Sequence, residues 1–126
     1  MKPRPDVAWY VLVERADVDK TSIFTVSGRL GHAGADELRQ RLGQALDEGR
    51  RQVVVDLDGA DYISSAGLHC LESIADRLHT GGGQLVLCGV RGPVKLALAL
   101  AGPLTHVVIE PSRSLAIARA RKAPSG

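Results

Sequence analysis

Aromatic residues are almost missing from this chain: one Trp, two Tyr and one Phe among 126 residues. Rings cannot dominate such an interior, so any core has to be assembled from Val, Leu, Ile and Ala. Cysteine is scarce as well. Cys70 and Cys88 make no Cys-X-X-Cys pair, which removes the common zinc and redox spacings and leaves two free, buried thiols in a reducing compartment as the expectation. Neither sign of charge is in large excess. A net charge of +2 is too small to argue for nucleic acid, and no expected helix carries a basic stripe. Arg119, Arg121 and Lys122 cluster near the C-terminus, where cations suit a helix end. No stretch approaches the roughly 20 apolar residues of a membrane span. The start, Met1-Lys2-Pro3-Arg4-Pro5-Asp6, has no apolar run of the kind a secretory signal needs. A cytoplasmic protein without membrane insertion is expected.

Catalytic and ligand motifs are lacking too. Gly28, Gly31 and Gly34 do not form Gly-X-Gly-X-X-Gly, and no Gly-Lys-Ser occurs. Gly81 to Gly83 precedes a strand rather than a helix, so it cannot aim a helix N-terminus at phosphate. His32, His69, His79 and His106 are scattered, and the His69–His79 spacing is outside the usual ligand pairs. A nucleophile elbow needs glycines on both sides of its Ser. Around Ser65, Gly67 qualifies but Ile63 occupies the other position. The expectation is therefore no catalytic residues, no metal and no cofactor.

What is present is an alternation of strand and helix signals. Trp9 to Glu14 and Ser22 to Ser27 read as strands joined by the polar run Asp17-Val18-Asp19-Lys20. Leu38, Leu42, Ala45 and Leu46 mark one face of a helix from about Ala35 to Glu48, stopped by Gly49. Val53 to Leu57 is a buried strand and Gln84 to Cys88 another. Pro93 opens a short helix that reaches Ala101 and stops at Gly102-Pro103. His106 to Ile109 is a fifth strand, and Ser112 caps a last helix. The order β-β-α-β-α-β-α-β-α predicts a single α/β domain over 8–121 with a mixed, mostly parallel sheet of about five strands and about four helices. Residues 1–7 and 122–126 read as flexible tails.

The most informative segment is Asp61-Tyr62-Ile63-Ser64-Ser65-Ala66-Gly67-Leu68. It follows the buried strand and precedes Leu68, Leu71, Ile74, Ala75 and Leu78, which describe one face of a helix. Two hydroxyls thus stand where a strand turns into a helix. Unpaired N–H groups and the positive end of the dipole gather there. A Ser at that point caps the helix, or, if phosphorylated, holds its dianion where backbone donors favour it.

Ile63-Ser64-Ser65-Ala66-Gly67-Leu68 resembles the phosphorylation loop of the STAS family, the anti-sigma-factor antagonists, whose members carry Asp-Ser-Ser-Gly-Leu or Asp-Ser-Thr-Gly-Leu after a buried strand. Val26-Ser27-Gly28-Arg29-Leu30 is similar to the family's second strand and its Gly-X-Leu exit. Gly92-Pro93-Val94-Lys95 is similar to the start of its third helix. Three positions differ: Ser64 stands in place of Asp, Ala66 in place of the second hydroxyl, and Gly31 where many members have Asp. The resemblance implies a protein-interaction switch. An anti-sigma factor with serine kinase activity would bind the unphosphorylated form, and Ser65, three positions before Leu68, would be the phosphorylated residue. Asp61, Ser64, Ala66 and Gly67 would form the partner-binding loop, with Arg29 and His32 beside it in the loop before the first long helix. A monomer or weak homodimer is expected. Two alternatives stay open: a non-phosphorylated STAS scaffold subunit of a stressosome or lipid-transport ABC complex, and a small-molecule-binding domain whose sign would be a preformed apolar cavity.

Overall fold

The computed structural model describes residues 11–122. Trp9 in the expected first strand and the expected tails at 1–7 and 123–126 lie outside the described residues, whereas Lys122 is the C-cap of the last helix. Five strands and four helices follow one another as β1 (Val11–Val18), β2 (Thr21–Leu30), α1 (His32–Asp47), β3 (Gln52–Ile63), α2 (Ser65–Thr80), β4 (Gln84–Cys88), α3 (Gly92–Ala101), β5 (Val107–Ile109) and α4 (Arg113–Arg121). The sheet order is β1-β2-β3-β4-β5. β1 runs antiparallel to β2, and every other neighbour pair is parallel. This is the expected mixed sheet.

The interior parallel strands β3 and β4 are covered on both faces, as buried parallel strands require. On one face, Leu38 and Leu42 of α1 and Leu71 and Ile74 of α2 pack with Phe24, Val26, Val53, Val55, Leu85 and Leu87, joined by Val94 and Leu98 of α3. On the other, Ala116 and Ala120 of α4 lie on Ile23, Val54, Val86 and Cys88. Alternation along β3 sends Val53, Val55 and Leu57 to the first face and Val54 to the second. Phe24 is the chain's sole Phe and is fully buried, with aliphatic residues supplying the rest of the core. Both cysteines are free and buried.

Buried polar groups are paired. Thr21 Oγ1 donates to Gln52 Oε1 at 3.2 Å. Asp56, only 7% exposed, accepts from the Asp58 backbone N–H at 2.9 Å and from Arg113 Nη1 at 3.0 Å. That second bond ties the start of α4 to the middle of the sheet. Among the described residues no buried side-chain nitrogen or oxygen lacks a partner. No helix there is long and apolar enough to cross a membrane.

Several expected boundaries move. The first connection is only Asp19-Lys20, because β1 and β2 pair all the way to Val18 opposite Thr21. Asp19 supplies the sharp reversal with φ 54°, a left-handed conformation that Asp tolerates better than most residues. β3 continues well past Leu57. Ser27 faces Gly59, Gly28 faces Ala60, Arg29 faces Tyr62 and Leu30 faces Ile63, after register shifts along β2. Gly59 permits this continuation, since a Cβ there would lie 2.7 Å from Ser27 Oγ. On α2 the buried stripe is Gly67, Cys70, Leu71, Ile74, Ala75 and Leu78, while Leu68 packs at its margin, half-buried.

Candidate functional site at the start of the second helix

β2 and β3 end side by side, and both feed helices. The Ser64 N–H donates to Leu30 O at 2.9 Å, which fixes the loop after β3 onto the last residue of β2. Ser64 is extended (φ −90°, ψ 172°) and is the N-cap of α2. Its Oγ accepts from the Gly67 N–H at 3.2 Å, and its carbonyl accepts from the Leu68 N–H at 3.0 Å. Ser64 thus does the work an Asp cap would do, accepting one of the helix's orphan donors.

Ser65 is the first residue of a 16-residue helix and is exposed. Among the described residues, the N–H groups of Ser65 and Ala66 have no partner. No acidic side chain lies in the first turn of α2. Ser65 is therefore exposed beside unpaired donors at a positive helix end whose first turn has no acidic side chain. Gly67 has to be small. A Cβ there would lie 2.7 Å from Ile63 Cγ1 and 3.3 Å from Leu30 O. α1 makes the same approach, because a Cβ at Gly34 would lie 2.5 Å from Arg29 O. The exit of β2 is thus wedged between two helix starts, each admitted by a glycine.

The structure brings Ser64, Ser65, Ala66 and Gly67 together as one turn, with Ser65 outermost and Gly67 buried. Three expected loop residues are placed differently. Asp61 is an exposed residue of β3, Arg29 belongs to β2, and His32 is the first residue of α1. The cause is the prolonged β2–β3 ladder, which leaves only Gly31 between β2 and α1. His32 is exposed and makes no hydrogen bond with the turn among the described residues. Arg29 does reach a neighbour. Its guanidinium carbon lies 3.8 Å from the Tyr62 ring centroid, a cation–π stack that fixes the cation at the rim of the turn. Tyr62 is a member of the site that periodicity alone does not reveal. The signal for it is register, since Arg29 and Tyr62 are partners across parallel strands.

The arrangement holds an exposed serine, unpaired amides and an aromatic-stacked cation, and among the described residues no side chain hydrogen-bonds to the Ser65 hydroxyl. Among the described residues no cluster of His, Cys, Asp and Glu could hold a metal ion. Such a turn can display a serine to a partner and accommodate a charge placed on it.

The family model of the STAS domain matches residues 11–116. A Bordetella bronchiseptica protein named as an anti-sigma factor antagonist, BtrV, is 36% identical over 101 residues, covering 80% of this chain and 87% of its own. The crystal structure of an anti-sigma factor antagonist from Mycobacterium paratuberculosis superposes with a TM-score of 0.81 at 21% identity, over 90% of this chain and 96% of that one. The Bacillus cell fate determinant SpoIIAA, an anti-sigma factor antagonist, shares the fold in both states solved. The unphosphorylated form has a TM-score of 0.69 at 18% identity, over 88% of this chain and 99% of that one. The phosphorylated form has 0.66 at 15%, over 87% and 98%. With the model spanning most of its length, from β1 into α4, this chain belongs to the STAS domain family.

Proposed function

We propose that this protein is an anti-sigma factor antagonist, a binding switch without turnover of its own, controlled by phosphorylation of Ser65. Its partner is an anti-sigma factor with serine kinase activity, which engages the unphosphorylated form and is thereby drawn off its sigma factor. The reading places the protein in the cytoplasm, as a monomer or weak homodimer that makes no contact with nucleic acid. The observation that carries it is the exposed Ser65 hydroxyl at the first position of α2, beside unpaired N–H groups. The likeness to relatives named as antagonists supports the partner class.

The mechanism is electrostatic and steric. A phosphate adds about −1.5 to −2 charges at neutral pH. The start of α2 accommodates it locally, so the fold survives. A partner packed on Asp61, Ser64, Ala66, Gly67, Arg29 and His32 meets bulk and unpaired charge instead of a hydroxyl. A coupling of about 1–3 kcal/mol shifts affinity by roughly 5- to 150-fold. Incubation with the cognate kinase and ATP, followed by phosphosite mapping, tests the reading. Modification at Ser65 is expected. Ser65→Ala keeps partner binding and blocks modification, and Ser65→Asp weakens binding. Modification at Ser64 moves the switch by one residue. A confirmed partner kinase that leaves both hydroxyls untouched replaces the switch with the scaffold role.

A further inference from the structure

A cavity lies away from the Ser65 turn, with none of Ser64, Ser65, Ala66 or Gly67 in its lining. It has a volume of about 780 Å³ and opens between α3 and β5. α3 contributes Leu98 and Ala99, the segment leading into β5 contributes Leu104, and β5 contributes Val107 and Ile109, with Val90 closing one end. Size and apolar lining both fall in the range of small-molecule sites. Ile109, on the cavity wall, is 51% exposed. β5 has only three residues, and of these Val107 and Val108 pack against the core while Ile109 is left uncovered. The fold gains nothing from an apolar residue left in water at that point.

The mouth has a definite charge. Asp58, Arg91, Lys95 and Glu110 surround it. Arg91 Nε donates to Asp58 Oδ1 at 2.9 Å and Nη2 to the Asp58 carbonyl at 2.6 Å. Glu110 accepts from Arg119 Nη1 at 3.0 Å. Both carboxylates and Arg91 are therefore engaged. Among the described residues Lys95 has no ion-pair partner, so one cation is left over beside an apolar cavity. Its complement is an apolar body with one negative head.

We propose that the α3–β5 crevice binds a monomeric long-chain carboxylate, with the acyl chain against Leu98, Leu104, Val107 and Ile109 and the carboxylate on Lys95. The site is independent of the switch at Ser65, which needs nothing from this crevice. Titration of the full-length, ¹⁵N-labelled protein with dodecanoate below its micelle concentration tests it, with dodecyltrimethylammonium as the oppositely charged control. Saturable amide shifts are expected over residues 98–109, with dodecanoate favoured about fivefold over the cationic amphiphile. Lys95→Glu reverses that preference without disturbing the core. Ala99→Trp, which fills the cavity from an exposed helix position, abolishes both titrations while the circular dichroism spectrum stays unchanged. Should Ala99→Trp fail to fold, the Lys95→Glu reversal decides alone. Absence of saturable shifts, or equal binding of both amphiphiles in both proteins, overturns the proposal. So does a response confined to phosphatidylglycerol vesicles that maps to Leu96 and Leu100 on the outer side of α3, which assigns this region to a membrane surface instead.

Discussion

The sheet face under α1 and α2 and the crevice beside α3 are built from the same residues, Leu, Val, Ile and Ala, and end in opposite conditions. Leu38, Leu42 and Leu71 are each 0% exposed, whereas Ile109 on the crevice wall is 51% exposed, and Leu96 at 61% and Leu100 at 79% stand on the outer side of α3. The difference is length of cover. α1 and α2 each have 16 residues and run along long strands. α3 has 10 residues and packs on β3, leaving a crevice between itself and the three-residue edge strand β5. Apolar composition therefore says what can be buried. The lengths of neighbouring elements decide what is.

The sharpest way to break this comparison is to remove volume from each side. Leu71→Ala, on the sealed face, is expected to cost about 2–5 kcal/mol, since the surrounding core cannot collapse onto the void. Leu98→Ala is expected at the bottom of that range or below it, because Leu98 is already 8% exposed and borders open space. Urea unfolding with a shared slope measures both. Equal losses at the two sites would show that the crevice is closed in solution.

A second prediction concerns how dry the sealed regions are. Burial pushes the Cys70 thiol up from 9.0 to about 11, and the Cys88 thiol from 9.0 to about 12, with the Asp56 carboxylate adding to the rise at Cys88. Above pH 9 the unfolded chain ionises its thiols while the folded chain keeps them protonated. The unfolded state then binds fewer protons, and stability falls with rising pH. The loss begins near pH 9 and stops growing near pH 11 for Cys70 and near pH 12 for Cys88. Its upper bound is about 1.4 kcal/mol per pH unit per thiol. Comparing the alkaline stability of the protein with that of Cys70→Ala/Cys88→Ala isolates the effect from Lys and Tyr titration. Parallel curves would refute it.

The turn at Ser64 and Ser65 lies between these extremes. Ser64→Ala removes the bond to the Gly67 N–H and is expected to cost about 0.5–2 kcal/mol. Ser64→Asp, which restores an acceptor and adds a favourable charge at the helix start, is expected to recover that loss. Ser65→Ala loses no hydrogen bond and is expected to leave stability unchanged within about 0.5 kcal/mol. Thermal denaturation of the three variants separates the cap from the displayed hydroxyl. A larger loss at Ser65 than at Ser64 would exchange their roles.

Much of this was legible in the residues. β4 falls at Gln84–Cys88 as expected, Ser112 caps α4 through the Leu115 N–H at 3.2 Å, and the turn at Ser64-Ser65 follows from a buried strand meeting a helical stripe. What was not legible depends on neighbours. The expected strand stops at Leu57, yet Asp58-Gly59-Ala60-Asp61 continues it because β2 offers it a ladder. Arg29 and His32 read as loop residues for the same reason. Their true places follow from pairing register, which no local pattern carries. The Arg29–Tyr62 stack and the paired charges around the crevice are likewise contacts between distant segments.

The smallest expected effect tests the exposed side of the comparison directly. Leu96 and Leu100 are one helical turn apart on the outer side of α3, and neither belongs to the buried clusters. If water covers both, Leu100→Ser gives up only helix propensity, a few tenths of a kcal/mol, and stability should stay within about 0.5 kcal/mol. The measurement is urea unfolding at two protein concentrations. A free surface predicts the same midpoint at both concentrations and in both proteins. If a second copy covers this face, the midpoint of the unaltered protein rises with concentration, because association favours the folded state by mass action. Leu100→Ser then removes that rise. The substitution thus separates an α3 that is bare in solution from one that is bare only in the isolated chain, and the bare helix is the outcome expected, because Leu96 and Leu100 stand outside both buried clusters.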